Sequence, residues 1–365
     1  MNYTYLHYQI GLSLLHNIGP KRARQIAELL PDLSYLFKWT IREIHQHTHI
    51  STAIIQGMNR KNALAIADEI INYNRKHSIQ SLFYTDPNYP RRLKSCEDAP
   101  IVLYCKGEVA FNQHSYVAVV GTRDATPYGK QLCRDLIESI AGSEIVIVSG
   151  LAKGIDATIH QLCLDHSIPT IGVLGHGLDR IYPYAHRHLA QNMLSNGGLV
   201  SEFVPGTKPD RENFPKRNRI VAGMTDATIV IESKLPGGSL ITADLAFGYN
   251  KDVFAYPGDV FSPNAKGVNH LIATQKAQLI QSGADFLTNM GWKKVPLPQT
   301  AQPHLFVELN EKQQLITRQL VEGSLHVDVL SYKTALPSSQ LNAELFFLEL
   351  EGIVEKLPGK VYRLI

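Results

Sequence analysis

The sequence predicts an α/β protein: an open, mostly parallel sheet at the centre, a small helical domain before it, and three helices with a hairpin after it. Three observations carry this. Short runs rich in Val and Ile, without polar alternation, recur between residues 116 and 256, as in parallel strands buried on both faces. Turns and helical patterns follow these runs in regular succession, as in βα units. On either side, up to residue 80 and beyond residue 305, the spacing is mainly helical.

Taken in order, Ile10 to Leu15, Ala23 to Leu30 and Ala63 to Ile71 have helical spacing, broken by Gly19-Pro20, Pro31 and Gly57. Asn17 to Ala23 has the shape of a helix-hairpin-helix turn, whose N–H groups and following cations can hold a phosphate; a glycine that simply ends one helix before the next reads the same way. Gly57 to Lys61 is either a degenerate second copy or a solvated turn. Residues 81 to 107 are rich in aromatics and proline and read as an extended connector with one strand, Ile101 to Tyr104, whose Tyr84, Tyr89 and Pro90 pack on the next domain. Strands follow at Tyr116 to Val120, Ile145 to Val148, Thr170 to Leu174, Leu199 to Glu202, Ala227 to Glu232 and Val253 to Tyr256, giving a Rossmann-like open sheet. Residues 291 to 304, with Pro296, Pro298 and Pro303, read as a linker. After it, Asn310 with Gln313 forms a capping box for a helix to about Val321; Val327 to Lys333 and Ser338 to Leu350 make two more, the last ended by Gly352. Ile353 to Lys356 and Val361 to Leu364 flank the turn pair Pro358-Gly359, completing a winged-helix module. The expected division is therefore 1–80, 81–290, the linker 291–304, and 305–365.

At 365 residues the chain has room for two or three domains. A net charge of +3 is too mild to identify a nucleic-acid partner, so local clustering must carry that argument. Cys96, Cys105, Cys133 and Cys163 form no CxxC pair, which favours reduced, packed thiols over a metal site. No basic start precedes an apolar run in the first twenty residues and no apolar stretch reaches a membrane span, so a cytoplasmic protein is expected.

The chemistry gathers at strand ends. Gly121-Thr122-Arg123 follows the first parallel strand, and Ser149-Gly150-Leu151-Ala152-Lys153-Gly154 follows the second. Parallel strands place such turns on one edge, where helix starts aim N–H groups at an anion and Arg123 and Lys153 add charge. Phe214-Pro215-Lys216-Arg217-Asn218-Arg219, with Arg211 and Lys208 upstream, supplies a basic wall that Asn218 could brace. Phe214 beside those cations suits stacking on an unpaired base. Gly238, Ser239 and Thr242 open a further helix, their hydroxyls suited to a phosphate. Arg123 and Arg217 are both expected to be replaceable without loss of the fold. No GxGxxG, Walker A, HExxH or Gly-x-Ser-x-Gly pattern occurs, so neither a nucleotide cofactor, a metal nor a serine nucleophile is expected.

Gly121 to Arg123, Ser149 to Asp156, Gly177 to Pro183, Phe214 to Arg219 and Gly238 to Thr242, in that order, resemble the DNA processing protein DprA (Smf) family. The likeness covers about residues 82 to 290 strongly. It implies a non-catalytic protein that binds single-stranded DNA during natural transformation, helps load the RecA recombinase on it, and forms a homodimer through the α/β domain. The family's DNA pocket maps onto Gly121 to Arg123, Ser149 to Gly154, and Phe214 to Arg219 with Arg211.

Two rivals are weaker. Pro236-Gly237-Gly238 is similar to the PGGxGTxxE motif of nucleotide phosphoribohydrolases, but Leu240, Ile241 and Asp244 stand where that motif has glycine, threonine and glutamate. A duplex-reading regulator would need cations on its recognition helix, whereas no basic residue lies between Lys333 and Lys356.

Overall fold

The computed structural model describes residues 4–292 and 309–364, apart from residues 322, 352 and 358. They fall into two units, one within residues 1–296 and one within 297–365.

The first unit opens with six helices: α1 (Tyr5–Ser13), α2 (Pro20–Leu29), α3 (Ser34–Lys38), α4 (Ile41–Thr48), α5 (Thr52–Gly57) and α6 (Arg60–Lys76). Their ends follow local chemistry. Thr40 and Glu43 cap α4 reciprocally, and Pro20 sits in the first turn of α2, where a missing N–H costs nothing. In the expected helix-hairpin-helix turn, Lys21 pairs with Glu97 at 2.9 Å. In the Gly57 to Lys61 turn, Arg60 donates to the Leu36 and Trp39 carbonyls at 2.8 Å and so closes the end of α3.

Next come β1 (Gln80–Phe83), α7 (Arg91–Lys94), β2 (Val102–Gly107), β3 (Ser115–Gly121), α8 (Pro127–Ile140), β4 (Ile145–Ser149), α9 (Ile155–Asp165), β5 (Thr170–Val173), α10 (Arg187–Asn192) and β6 (Gly197–Ser201). The unit ends with α11 (Asn213–Gly223), β7 (Ala227–Ile231), α12 (Gly238–Gly248), β8 (Asp252–Ala255), α13 (Lys266–Ala273), β9 (Gln278–Leu279) and α14 (Gly283–Asn289). The strand order is β1-β2-β6-β5-β4-β3-β7-β8-β9. From β6 to β9 every neighbouring pair is parallel. The presumed single-strand connector differs from expectation: β1 and β2 pair antiparallel, and β2 pairs antiparallel with β6, so it extends the sheet by two strands. Four residues that pass from exposed to buried, without alternation, are too short a signal to register as β1.

Both sheet faces are covered. Val117, Val119, Ile147 and Ile229 pack with Leu136, Ile137 and Ile159 of α8 and α9. Tyr116, Val148 and Val230 join the other cluster, which is continuous with Ile220 of α11, Ala243 of α12 and Ile10, Ile26 and Ile44 of the opening helices. Tyr84 and Tyr89 are buried in that cluster, as the sequence suggests.

His160 of α9 is fully buried; its Nδ1 bonds the Thr170 hydroxyl at 2.7 Å, while Nε2 has no partner among the described residues. Burial pushes its pKa from 6.5 down to about 3. Between those values the unfolded chain binds a proton that the folded chain refuses, so this contribution is full above about pH 6.5 and lost as pH falls toward 3. Urea midpoints measured across that window are expected to fall with acid, by at most about 1.4 kcal/mol per pH unit from this group, and His160→Gln to flatten the slope.

The second unit comprises α15 (Glu311–Leu320), β10 (Leu325–His326), α16 (Val327–Thr334), α17 (Ser338–Leu350), β11 (Val354–Leu357) and β12 (Val361–Leu364), with sheet order β10-β12-β11. Ile316, Leu330, Leu341, Leu345 and Leu348 form its own core. The winged-helix elements stand where the helical and hairpin patterns put them, with β10 as an addition. Of the expected linker only Gly291 and Trp292 are described, and Gly352 and Pro358 lie outside the described residues. Among the described residues no helix is long and apolar enough to cross a membrane, and no group of three or more His, Cys, Asp or Glu is placed to hold a metal. The four cysteines are free and buried.

Candidate nucleic-acid interface

The strand order reverses direction at β3: β4, β5 and β6 continue on one side, β7, β8 and β9 on the other. Crossovers leaving in opposite directions open a crevice outside the carboxyl ends of the strands. A cleft of about 770 Å³ lies there. Gly121 at the end of β3, Thr122 after it, Gly150 after β4 and Ser233 after β7 line it, as do Phe214, Arg217 and Asn218 of α11 and Gly238, Ser239 and Thr242 of α12.

Two N–H groups of the turn from β4 to α9 are engaged within the chain. Leu151 is left-handed at φ 55°, and the Gly150 and Ala152 amides both donate to Asp156 Oδ2, at 3.1 and 3.3 Å. The chain's own carboxylate thus takes the place of an anion at that helix start. Gly154, at φ 80°, brings the backbone so close to Thr122 and Arg123 that a Cβ would strike their carbonyls.

Arg217 is the brace beneath this turn. It is buried, its Nη1 donates to the Gly150 carbonyl at 2.6 Å and to the Val173 carbonyl, and its Nε donates to Asn218 Oδ1 at 3.2 Å. A Cβ on Gly150 would land on the guanidinium. Burial lowers the Arg217 pKa to about 10, against the pull of Asp156, and burial likewise raises the Asp156 carboxyl against the pull of Arg217. Each charge offsets part of the other's desolvation. The expectation that Arg217 can be removed without loss of the fold is therefore corrected: its removal strands two carbonyls and a buried carboxylate.

The other helix starts differ from one another. At α8, Thr126 accepts from Gly129 N at 3.1 Å, and its own N–H donates to Glu232 Oε2 at 2.9 Å, so a carboxylate again sits at the start. At α12 the Ser239 hydroxyl donates to Ser233 Oγ at 2.8 Å, and Gly238 is exposed with open space on its Cα.

Around this floor lies a rim of exposed cations. Arg123 and Arg211 are exposed and line the cleft. The Arg123 guanidinium lies 5.7 Å from the Phe214 ring centroid, within cation–π range. Lys234 also lines the cleft and pairs with Asp124 at 2.8 Å. Ala152 lines it too, but Ser149, Leu151, Lys153, Gly154, Lys216 and Arg219 are not among its lining residues. Ser149 is buried, donating to the Val119 carbonyl at 2.6 Å, and Leu151 is wholly in the core. Lys153 and Lys216 are exposed elsewhere, and Arg219 turns inward to the Glu202 carboxylate and the Asp98 carbonyl. Asp156, Tyr182 and Lys234, not among the expected site residues, line the cleft as well. Asp156 and Tyr182 stand inside two of the quoted motifs, so the signal was present; their apolar neighbours hid it.

The family model described as DNA recombination-mediator protein A matches residues 80–291, and the DprA winged helix domain model matches residues 298–360. Protein Smf from Synechocystis is 33% identical over 393 residues, covering 98% of each chain. The X-ray structure of DNA processing protein A from Streptococcus pneumoniae is similar over 79% of this chain and 98% of that one, with a TM-score of 0.66 and 31% identity. The Helicobacter pylori DNA processing protein A, solved in a study of its unique single-stranded DNA binding mode, covers 58% of this chain and 95% of its own, with a TM-score of 0.53 and 31% identity. With more than half its length matched by the family model and near full-length likeness to a curated relative, the chain belongs to the DNA recombination-mediator protein A (DprA/Smf) family.

Proposed function

We propose that this protein binds single-stranded DNA in the cleft at the carboxyl ends of β3, β4 and β7. The observation that carries the reading is the meeting of exposed Arg123, Arg211 and Lys234 with the Phe214 ring in one open groove. Cations that track phosphates, with an aromatic face that accepts any base, suit single strands without sequence preference. The binding residues of this reading are Gly121 to Arg123, Ser149 to Gly154, Arg211, Phe214, Lys216 to Arg219, Gly238, Ser239 and Thr242. Exposed Arg123 and Arg211 and the Phe214 ring act on the strand, Ser149, Leu151, Gly154 and the buried Arg217 act by holding the turns, and Lys153, Lys216 and Arg219 lie outside the cleft lining. The division at 1–80, 81–290 and 305–365 belongs to the same reading.

Family membership supports the further steps: protection of incoming DNA during natural transformation, loading of RecA, and a homodimer through the α/β domain. A non-catalytic role is supported by where the carboxylates lie. Asp124 is engaged by Lys234, Asp156 is buried on two amides, and Asp244, in the place of the hydrolase glutamate, is exposed and paired with Lys276 at 2.7 Å. In the second unit, α17 exposes Phe346, Phe347 and Leu350 beside acidic residues, which supports a protein contact over duplex reading.

The test is titration of a fluorescent oligothymidylate and a duplex of equal length over a range of salt. Tighter binding of the single strand is expected, with log affinity falling by about 0.7 per decade of salt for each phosphate contact. Equal or tighter duplex binding, unaffected by Arg123→Ala, would move the DNA site away from the cleft.

A further inference from the structure

The Phe214 ring lines the cleft together with Tyr182. Behind it stands Gly175, where a Cβ would come within 3.0 Å of Phe214 Cδ1. The Tyr182 ring lies 6.1 Å away, centroid to centroid, tilted by 32°. Tyr182 lines the same cleft and is 51% exposed. Its loop is anchored on both sides. Asp179 Oδ1 accepts from Gly206 N at 2.9 Å, and His186 Nδ1 bonds the Leu151 carbonyl at 2.9 Å. Tyr182 therefore projects from a fixed loop, with its ring held toward Phe214 while no core packing closes over it.

From this geometry we infer that Tyr182 and Phe214 are the two walls of a slot for one unpaired base; the inference rests on the single-strand reading above. A base between two rings needs about 6.8 Å between the flanking planes, twice the roughly 3.4 Å rise of stacked bases. The 6.1 Å is a centroid separation between rings tilted by 32°, that of a direct aromatic pair, so the half-exposed Tyr182 ring must swing off Phe214 to admit the base between them. The phosphates on either side of the captured nucleotide then meet Arg123 and Arg211 at the rim. The slot also discriminates. A duplex can fill it only by extruding a base, which costs a few kcal/mol of pairing and stacking, whereas a single strand offers one freely. Tyr182 is thus a specificity-determining residue for single-stranded over double-stranded DNA, and it recognises a flat ring rather than a particular base edge.

The test uses the full chain and short oligothymidylates carrying one 2-aminopurine, placed in turn along the strand, and a matching strand with an abasic site at the captured position. In the wild type, one position is expected to show strong quenching. Tyr182→Ala should abolish most of that quenching and weaken affinity about five- to tenfold, Tyr182→Phe should preserve both, and the abasic strand should bind wild type and Tyr182→Ala alike. If Tyr182→Ala binds and quenches like the wild type while Arg123→Ala and Phe214→Ala bind weakly, the slot is overturned and the cleft reading stands. If none of the three substitutions changes binding, both fall together.

Discussion

Arg217→Ala is expected to lower the unfolding free energy by about 3–5 kcal/mol, the usual cost of breaking a buried charge network from one side. The substitution leaves the Gly150 and Val173 carbonyls without their donor and Asp156 without the cation that offsets its burial. Arg217→Lys should recover little, because one ammonium cannot reproduce the planar fork that reaches Gly150, Val173 and Asn218 at once. Arg123→Ala, on an exposed side chain, should stay within about 0.5 kcal/mol of the wild type. Guanidinium chloride unfolding of the three variants checks this; an Arg217→Ala midpoint at the wild-type position would mean that the turn after β4 holds itself.

The second large effect is on DNA. Arg123→Ala is expected to weaken single-strand binding by about 1.5–3 kcal/mol, a charge-assisted contact, and Phe214→Ala by about 1–3 kcal/mol, a stacked base. Because the guanidinium lies over the ring, the two losses should not add fully, and a double-mutant cycle at fixed salt measures the coupling. The salt slope separates them. Arg123→Ala should reduce it by about 0.7, the share of one phosphate, while Phe214→Ala leaves it unchanged. A Phe214→Ala protein with an altered slope and unaltered affinity would rule out stacking.

Strands were the most legible part of this chain. Tyr116 to Val120, apolar throughout, and Ala227 to Glu232, apolar but for Thr228 and Glu232, have no alternative to burial between two helical layers, and they fall within about a residue of β3 and β7. β1 and β9 escaped because four and two residues carry too little periodicity, and because an edge strand is specified by its neighbour as much as by itself. In the site, the turns and the basic run were visible as motifs, and the sheet's geometry gathers most of them. Which cations face the cleft was not visible. Lys216, Arg217 and Arg219 are near neighbours in the chain, yet on a helix they point to solvent, to the floor and to Glu202 respectively, and only the packing of α11 decides among those directions. Likewise, nothing in the sequence says that Asp156 folds back on its own turn.

The cleft joins a stiff floor, whose buried charges satisfy one another, to a rim of solvent-facing cations. That division has a kinetic consequence. A strand held by separate rim contacts can let go of one phosphate at a time while the floor stays unchanged, so each vacated cation is open to a solution ion or to another binder's strand. Departure then quickens as competitors become more concentrated, instead of running at one intrinsic rate. On the proposed reading, the residence time of a bound strand is then a property of the surrounding solution as much as of the complex.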